Sequence, residues 1–396
     1  MPSVNHVPLA WRNLVHDKRR CVVCVAGVAC AVVLLFMELG FWNAMLDASV
    51  QMIGRLNADV VLVSKGRYYL ALRERFTVTR LEQARAVPGV AAAEPLYLET
   101  HGILWHDPQG SVTRFQAGEP SARPIRVIAF NPDYPALRDP EIQSQLSLLR
   151  LRGNVLVDRR SKPSFGPIGP GLERELAHQQ IHIVGTFALG TDFTCDGSLI
   201  MSDQTYADLM ADQGLPTPAL RLADIGLIQL HPGFSPEQVR DQLNALLPSD
   251  VRALTLAEVS AQERLFWQLS TPVGLVFSLG LAMGFCVGAV ICFQVLSSDV
   301  ADHLKEYATL KAIGYHARYL NRVVLAEALW LTVLAYGPAL LMTVGLYDVL
   351  GRLTGLPLYL NLARCALVLI LTASMCMLSG LLALSKLRSA DPAEVF

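Results

Sequence analysis

The sequence predicts a multi-pass α-helical membrane protein with four transmembrane helices and a large α/β domain between the first and second. Three observations predict it. The 396 residues are 52% hydrophobic and only 17% charged, whereas soluble domains carry about 25% charged residues. The apolar residues gather in four runs, each long enough to cross a hydrocarbon core that takes about 20 residues. Between the first two runs the composition is that of an ordinary globular domain.

The runs are 21–41, 272–296, 319–346 and 363–384. Lys and Arg in their flanks set the orientation. Arg12, Lys18, Arg19 and Arg20 precede the first run, Lys305, Lys311, Arg318 and Arg322 separate the second from the third, and Lys386 and Arg388 follow the fourth. With four crossings these flanks share one side. Both termini and the 298–318 segment are therefore expected in the cytoplasm, and the domain at 47–270 outside, in the periplasm. Residues 1–20 mix Leu9, Trp11, Leu14 and Val15 with basic residues, as an interfacial segment does. Residues 385–396 form a cytoplasmic tail. The first run is too long for a signal-peptide core, so it is read as an uncleaved anchor. Net charge is −1, which gives no pull toward nucleic acid.

The outer domain opens with a strand at 58–63. Thr79-Arg80-Leu81-Glu82 then spells a capping box, and a second extended piece follows Pro88-Gly89. The pattern recurs later. A strand at 225–230 leads to Ser235-Pro236-Glu237-Gln238, another capping box with Pro at the first helical position, and then to a strand from Val251. Two β-α-β units at opposite ends of the domain predict a sheet subdomain in which their strands pair. Between them, about 131–220 is rich in Pro and Gly, with strands at 154–158, 181–187 and 198–201. It is read as an inserted β-rich subdomain. Thr255-Leu256-Ala257-Glu258 caps a last helix expected to run as a stalk into the second span.

Gly280, Gly284 and Gly288 repeat every fourth residue in the second span. Such a ridge lets helix backbones approach closely in lipid, against a neighbour in this chain or against a second copy. A Gly284→Leu change should prevent that approach. Glu38, near the outer end of the first span, is expected to reach water.

The chemistry of an enzyme is not visible. There is no G-x-x-x-x-G-K-[ST], G-x-S-x-G or H-E-x-x-H, so neither a catalytic centre nor a bound cofactor is expected. His178 and His182 have helical metal spacing, but His182 lies in a strand pattern. All cysteines but Cys195 sit in the apolar runs, where they act as small packing residues. Thr191 to Gly197 reads as a polar turn, because a catalytic thiol needs a base and an orienting group.

Ser298 to Ala308 can form a short amphipathic helix, with Val300, Leu304 and Tyr307 on one side, ended by Gly314. Here the chain resembles a known family. Lys305-Glu306-Tyr307-Ala308-Thr309-Leu310-Lys311-Ala312-Ile313-Gly314 is similar to the E-x-x-x-L-[RK]-A-[IL]-G motif that follows the second span of MacB/LolC/FtsX-type ABC permeases. Lys386 to Glu394 resembles their closing basic run before D-P-x-E. PLAW at 8–11, FMELGF at 36–41, FNPDYP at 130–135, STPVG at 270–274 and LRSADPAEVF at 387–396 resemble the DevC-like branch.

The resemblance implies a dimer seated on two separate ABC ATPase subunits in the bacterial inner membrane. ATP-driven motion would pass to the periplasmic domain, a process called mechanotransmission. The coupling contact would involve Glu306 and Lys311, with Asp302, Lys305, Leu310 and Gly314 in the same segment. A DevC-like permease would work with a periplasmic adaptor and an outer-membrane channel, exporting a lipid-like or amphipathic substrate. The alternative is an FtsX-like signal transducer that controls a periplasmic cell-wall hydrolase.

Overall fold

The computed structural model describes residues 18–106, 122–192, 194–212, 219–302, 317–354 and 356–389. Two compact units result. One is built from long helices, and the other from residues 45–271 with 353–357.

In chain order the elements are α1 (Lys18–Gln51), β1 (Val60–Ser64), β2 (Phe76–Thr77), α2 (Thr79–Arg85), β3 (Val90–Glu99), β4 (Leu104–His106), β5 (Ala122–Pro124), β6 (Arg126–Phe130), α3 (Pro140–Gln143) and β7 (Asn154–Asp158). Then come β8 (Glu173–Leu176), β9 (Gln179–Phe187), β10 (Ser198–Ser202), α4 (Asp203–Asp212), β11 (Leu222–Ala223), β12 (Ile225–Leu230), α5 (Pro236–Leu246), β13 (Val251–Thr255) and α6 (Leu256–Leu265). The chain closes with α7 (Pro272–Asp302), α8 (Ala317–Thr354) and α9 (Leu362–Ser389).

Four helices among the described residues are long and apolar enough to cross a membrane: Cys21–Gln51, Pro272–Ser298, Asn321–Thr354 and Leu362–Leu384. The first helix continues well past residue 41. Residues 42–51 contain no Gly or Pro to end it, and they carry Ala44, Met45, Leu46 and Ala48, all buried.

In the large domain an eleven-stranded sheet runs in the order β13-β1-β12-β3-β6-β10-β7-β9-β8-β4-β5. The two β-α-β units do interleave: β1 pairs antiparallel with both β13 and β12, and β12 pairs antiparallel with β3. Their helices share one face, where Leu81 and Ala84 of α2 and Val239 and Leu243 of α5 join Val60, Leu62 and Ala253 in one core. The opposite face buries Val61, Val63, Leu96, Ile225 and Leu227 in a second core.

The middle segment does not break this sheet. It extends it through β3, whose other edge pairs with β6. The extension also draws on β4, β5 and β6, which precede residue 131. Strands β6, β7 and β10 are buried along their whole length. They read as apolar runs because both faces are covered: Val127, Val155 and Leu199 on one side, Ile128, Leu156 and Ile200 on the other. β6 runs parallel to β10, and β7 parallel to β9.

Of the expected caps, one forms in full. Thr255 accepts from the Glu258 N–H, and the Glu258 carboxylate accepts from the Thr255 N–H at 2.9 Å. At α2 the cap position falls on Val78, so Thr79 is already inside the helix and makes no capping bond. At α5 Ser235 holds the cap position, but its hydroxyl donates to Glu237 at 2.5 Å instead. The expected unbroken stalk is absent too. After α6 a π-helical turn spans Phe266–Ser270, and Thr271 is extended at φ −118° and ψ 150°. Pro272 forbids the helical conformation to the residue before it, so the helix stops and restarts there.

Candidate functional site: the glycine seam and the segment that follows it

Gly280, Gly284 and Gly288 all face α1. A Cβ on Gly280 would lie 2.6 Å from Glu38 Oε2, one on Gly284 would lie 3.6 Å from Leu35, and one on Gly288 would lie 2.9 Å from the Ala31 Cβ and 2.3 Å from Met375 Sδ. Gly27 of α1 meets Ile291, and Trp42 packs edge-on to Phe277 at 6.1 Å. Residue numbers rise on α1 as they fall on α7, so the two helices form one antiparallel seam. Real Cβ atoms do not come within 3.0 Å of such neighbours. Gly288 is therefore the tight position, because the Ala31 Cβ cannot swing aside; at Gly280 the neighbour is the movable end of Glu38, and Gly284 is in ordinary contact. Glu38 is partly exposed and lies in this seam.

The remaining helices alternate in the same way. Met375 meets Gly288 and Gly380 meets Leu296, so α7 and α9 run parallel. Ser379 donates to the Ala289 carbonyl at 2.8 Å across that contact, and Cys292 and Cys376 sit 3.5 Å apart, sulfur to sulfur. Tyr336 lies 5.7 Å from Phe36, and Tyr347 lies against Gly40 further along α1, so α1 and α8 are also parallel. Alternating directions are what four successive crossings require. Thr332, Thr343 and Thr372 donate to the carbonyl four residues back, which satisfies their hydroxyls inside apolar helices. Glu327 is 1% exposed within α8. The sequence reading passed over it, although an acid inside an apolar run is the signal to look for.

Residues 298–302 continue α7 rather than beginning a separate helix. Of the expected coupling residues, Asp302 is the last residue of that helix. Lys305, Glu306, Leu310, Lys311 and Gly314 lie outside the described residues, as do residues 390–396.

The large domain holds two buried ionic clusters that the sequence does not bring together. Asp224 is fully buried. It accepts from the Leu98 N–H at 3.1 Å and from Arg75 at 3.3 Å, with Arg67 3.7 Å away. Burial pushes its carboxyl up, while Arg75, Arg67 and the Leu98 N–H pull it back. The second cluster pairs Arg126 with Asp192, which also accepts from the Thr194 hydroxyl at 2.6 Å and the Cys195 N–H at 3.1 Å. Cys195 is buried beside it, and desolvation pushes its thiol up to about 11. It is an inert thiol in a structural turn.

Burial disfavours the Asp192 carboxylate, but Arg126 and the Thr194 hydrogen bonds outweigh burial and hold it below its ordinary value. A depressed carboxyl stabilises the fold fully above its unfolded value and loses that effect as the pH falls through the folded one. Asp192→Asn is therefore expected to cost about 3–5 kcal/mol at neutral pH, because it leaves Arg126 buried without its counter-charge. In denaturant titrations the gap to wild type should narrow as the pH falls below 3.8. A gap that does not change with pH would contradict this assignment.

Residues 266–392 match the family described as FtsX-like permease C-terminal. No curated protein matches the chain. Among solved structures, the periplasmic region of MacB from Actinobacillus actinomycetemcomitans is similar at 8% identity and a TM-score of 0.34, over 52% of this chain and 93% of that one. The extracellular domain of the noncanonic ABC-type transporter YknZ from Gram-positive bacteria is similar at 9% identity and a TM-score of 0.30, over 50% of this chain and 99% of that one.

Proposed function

We propose that this chain is the permease subunit of a tripartite ABC exporter in a bacterial inner membrane. It would transmit ATP-driven motion of a separate ATPase to its periplasmic domain and so expel a lipid-like or amphipathic substrate. The observation that carries the reading is the FtsX-like permease match over 266–392, which takes in the glycine-bearing helix, the 303–316 segment and the last two apolar helices. No P-loop occurs in these 396 residues, and the reading assigns ATP hydrolysis to a separate subunit. The C-terminal basic run and both chain ends would be cytoplasmic, and the domain at 47–270 periplasmic, with the extension beyond β3 acting as its second subdomain.

The DevC-like motifs support export through a periplasmic adaptor and an outer-membrane channel. The glycine ridge is occupied by α1, so a second copy would use another face. Val276, Leu279, Met283, Val287 and Val290 form an exposed stripe on α7 that suits a second copy or lipid. The coupling contact is assigned to Asp302, Lys305, Glu306, Leu310, Lys311 and Gly314.

The test reverses a charge in that contact. With its ATPase co-expressed, Glu306→Lys is expected to leave the permease in the membrane but to lower ATPase co-purification, and permease-stimulated hydrolysis, at least tenfold. Wild-type co-purification together with wild-type stimulation would overturn the assignment.

A further inference from the structure

The large domain has a cavity of about 270 Å³ that the exporter reading leaves unused. It lies on the sheet face formed by β3 and β12, where Leu227 stands opposite Glu94. The residues after β6, Asp133 to Pro135, wall its other side. Its lining contains two carboxylates, two amides, one tyrosine and apolar side chains, with no Lys, Arg or His.

Three oxygens of this lining are left as unfilled acceptors. Glu94 Oε1 is held by Arg85 at 2.8 Å, and Asp133 Oδ1 by Arg150 at 2.7 Å. Among the described residues Glu94 Oε2 and Asp133 Oδ2 receive no hydrogen bond. Gln229 gives its amide N–H to the Asn57 carbonyl at 3.0 Å, and Asn57 gives its own to the Pro135 carbonyl at 2.9 Å. Each amide thus spends one N–H on backbone, and the Gln229 amide oxygen remains as an acceptor. Tyr134 is 51% exposed and adds an aromatic ring to the wall. Burial pushes the Glu94 carboxyl up; Arg85 opposes this, while Glu82 and Asp203 reinforce it. Arg85 and Arg150 thus hold one oxygen of each carboxylate from outside the lining, while Glu94 Oε2, Asp133 Oδ2 and the Gln229 oxygen stay without a donor among the described residues.

We propose that this cavity binds an alkylammonium group. A primary ammonium brings three donors and no acceptor, which complements Glu94 Oε2, Asp133 Oδ2 and the Gln229 oxygen. Its methylenes fit against Leu227 and Ala92, and its charge is attracted to the Tyr134 ring. The volume exceeds that of a bare metal ion, and the apolar wall cannot supply the six to eight oxygens that a calcium ion takes. The same chemistry reaches the cavity on a free diamine or on a lysine side chain of a peptide.

The test is calorimetric titration of the full-length protein in a zwitterionic detergent. The probes are 1,4-diaminobutane and a neutral-capped peptide with one lysine; 1-butanol is the control. Saturable one-to-one binding of an amine probe is expected, with no heat of binding from 1-butanol. Glu94→Gln, Asp133→Asn and Tyr134→Leu should each weaken it at least tenfold. Asp133 is 60% exposed, so Asp133→Asn should melt like wild type and keep the result clear of misfolding. Tighter binding of the peptide assigns the site to a partner's lysine, and tighter binding of the diamine assigns it to a small molecule. No saturable binding of either amine, or affinity unchanged in both Glu94→Gln and Asp133→Asn, overturns the proposal.

Discussion

Replacing Asp224 with alanine is expected to destabilise the large domain by about 3–5 kcal/mol, the cost of removing one partner from a buried ion pair. The side chain of Arg67 is 3% exposed and that of Arg75 is 13% exposed, and both face this carboxylate. Without it, Arg67 keeps only carbonyl acceptors, those of Asp224, Leu70 and Glu74 at 2.6, 2.7 and 3.2 Å. The Leu98 N–H also loses its acceptor at 3.1 Å. Arg75 retains the Tyr206 hydroxyl at 2.7 Å, which keeps the loss within that range. The contrast is Arg150, whose side chain is 67% exposed against an Asp133 that is 60% exposed. Arg150→Ala should change stability by less than about 1 kcal/mol. Urea titration of the three proteins measures both effects. Equal losses from the two variants would show that the buried cluster has no special weight.

The second large effect is expected at Gly288. A leucine there would drive its Cβ to 2.3 Å from Met375 Sδ and 2.9 Å from Ala31. Because α1 and α9 both press on this point, neither can yield without disturbing the other. Overpacking of this kind costs about 3 kcal/mol, toward the upper end for crowded cores. Thermal unfolding in detergent should show a clearly lower midpoint and partial aggregation. Gly284→Ala adds a Cβ at an ordinary 3.6 Å from Leu35 and should be tolerated. If Gly284→Ala proved the more damaging, the seam as described would be wrong.

The spans were readable because unbroken apolar runs admit few other readings. The paired β-α-β units were readable because alternation, Pro-Gly turns and helix-start residues agree over short distances. The errors share a cause, which is that local signals compete with neighbours that the sequence does not display. Thr79 and Glu82 have capping-box spacing, but the cap of α2 falls one residue earlier, on Val78. Residues 42–51 look polar enough to end a span, yet they contain nothing that breaks a helix. Asp224 stands 157 residues from Arg67 and 149 from Arg75, so only the folded sheet unites them. The glycine ridge was visible as a period of four, but its partner was not. Glycine specifies that something comes close, and the surrounding fold decides what. The coupling motif was legible as a sequence pattern, whereas its residues from Lys305 to Gly314 lie outside the described structure.

The repeat of Gly280, Gly284 and Gly288 also bears on how α1 and α7 can travel past each other. An α-helix presents the same notch about once per turn, roughly every 5.4 Å along its axis. A displacement of one full turn would set Gly280 against Leu35, Gly284 against Ala31 and Gly288 against Gly27, so each glycine would again oppose a side chain of α1 or its Gly27. A displacement of half a turn would carry the glycine notches off the side chains they now accommodate, and the helices would have to separate. The seam therefore works as a toothed track with stops one turn apart. Any relative movement of the two helices is expected to tilt the pair as one lever or to advance it by a whole tooth. Small continuous slips are the movement this packing resists.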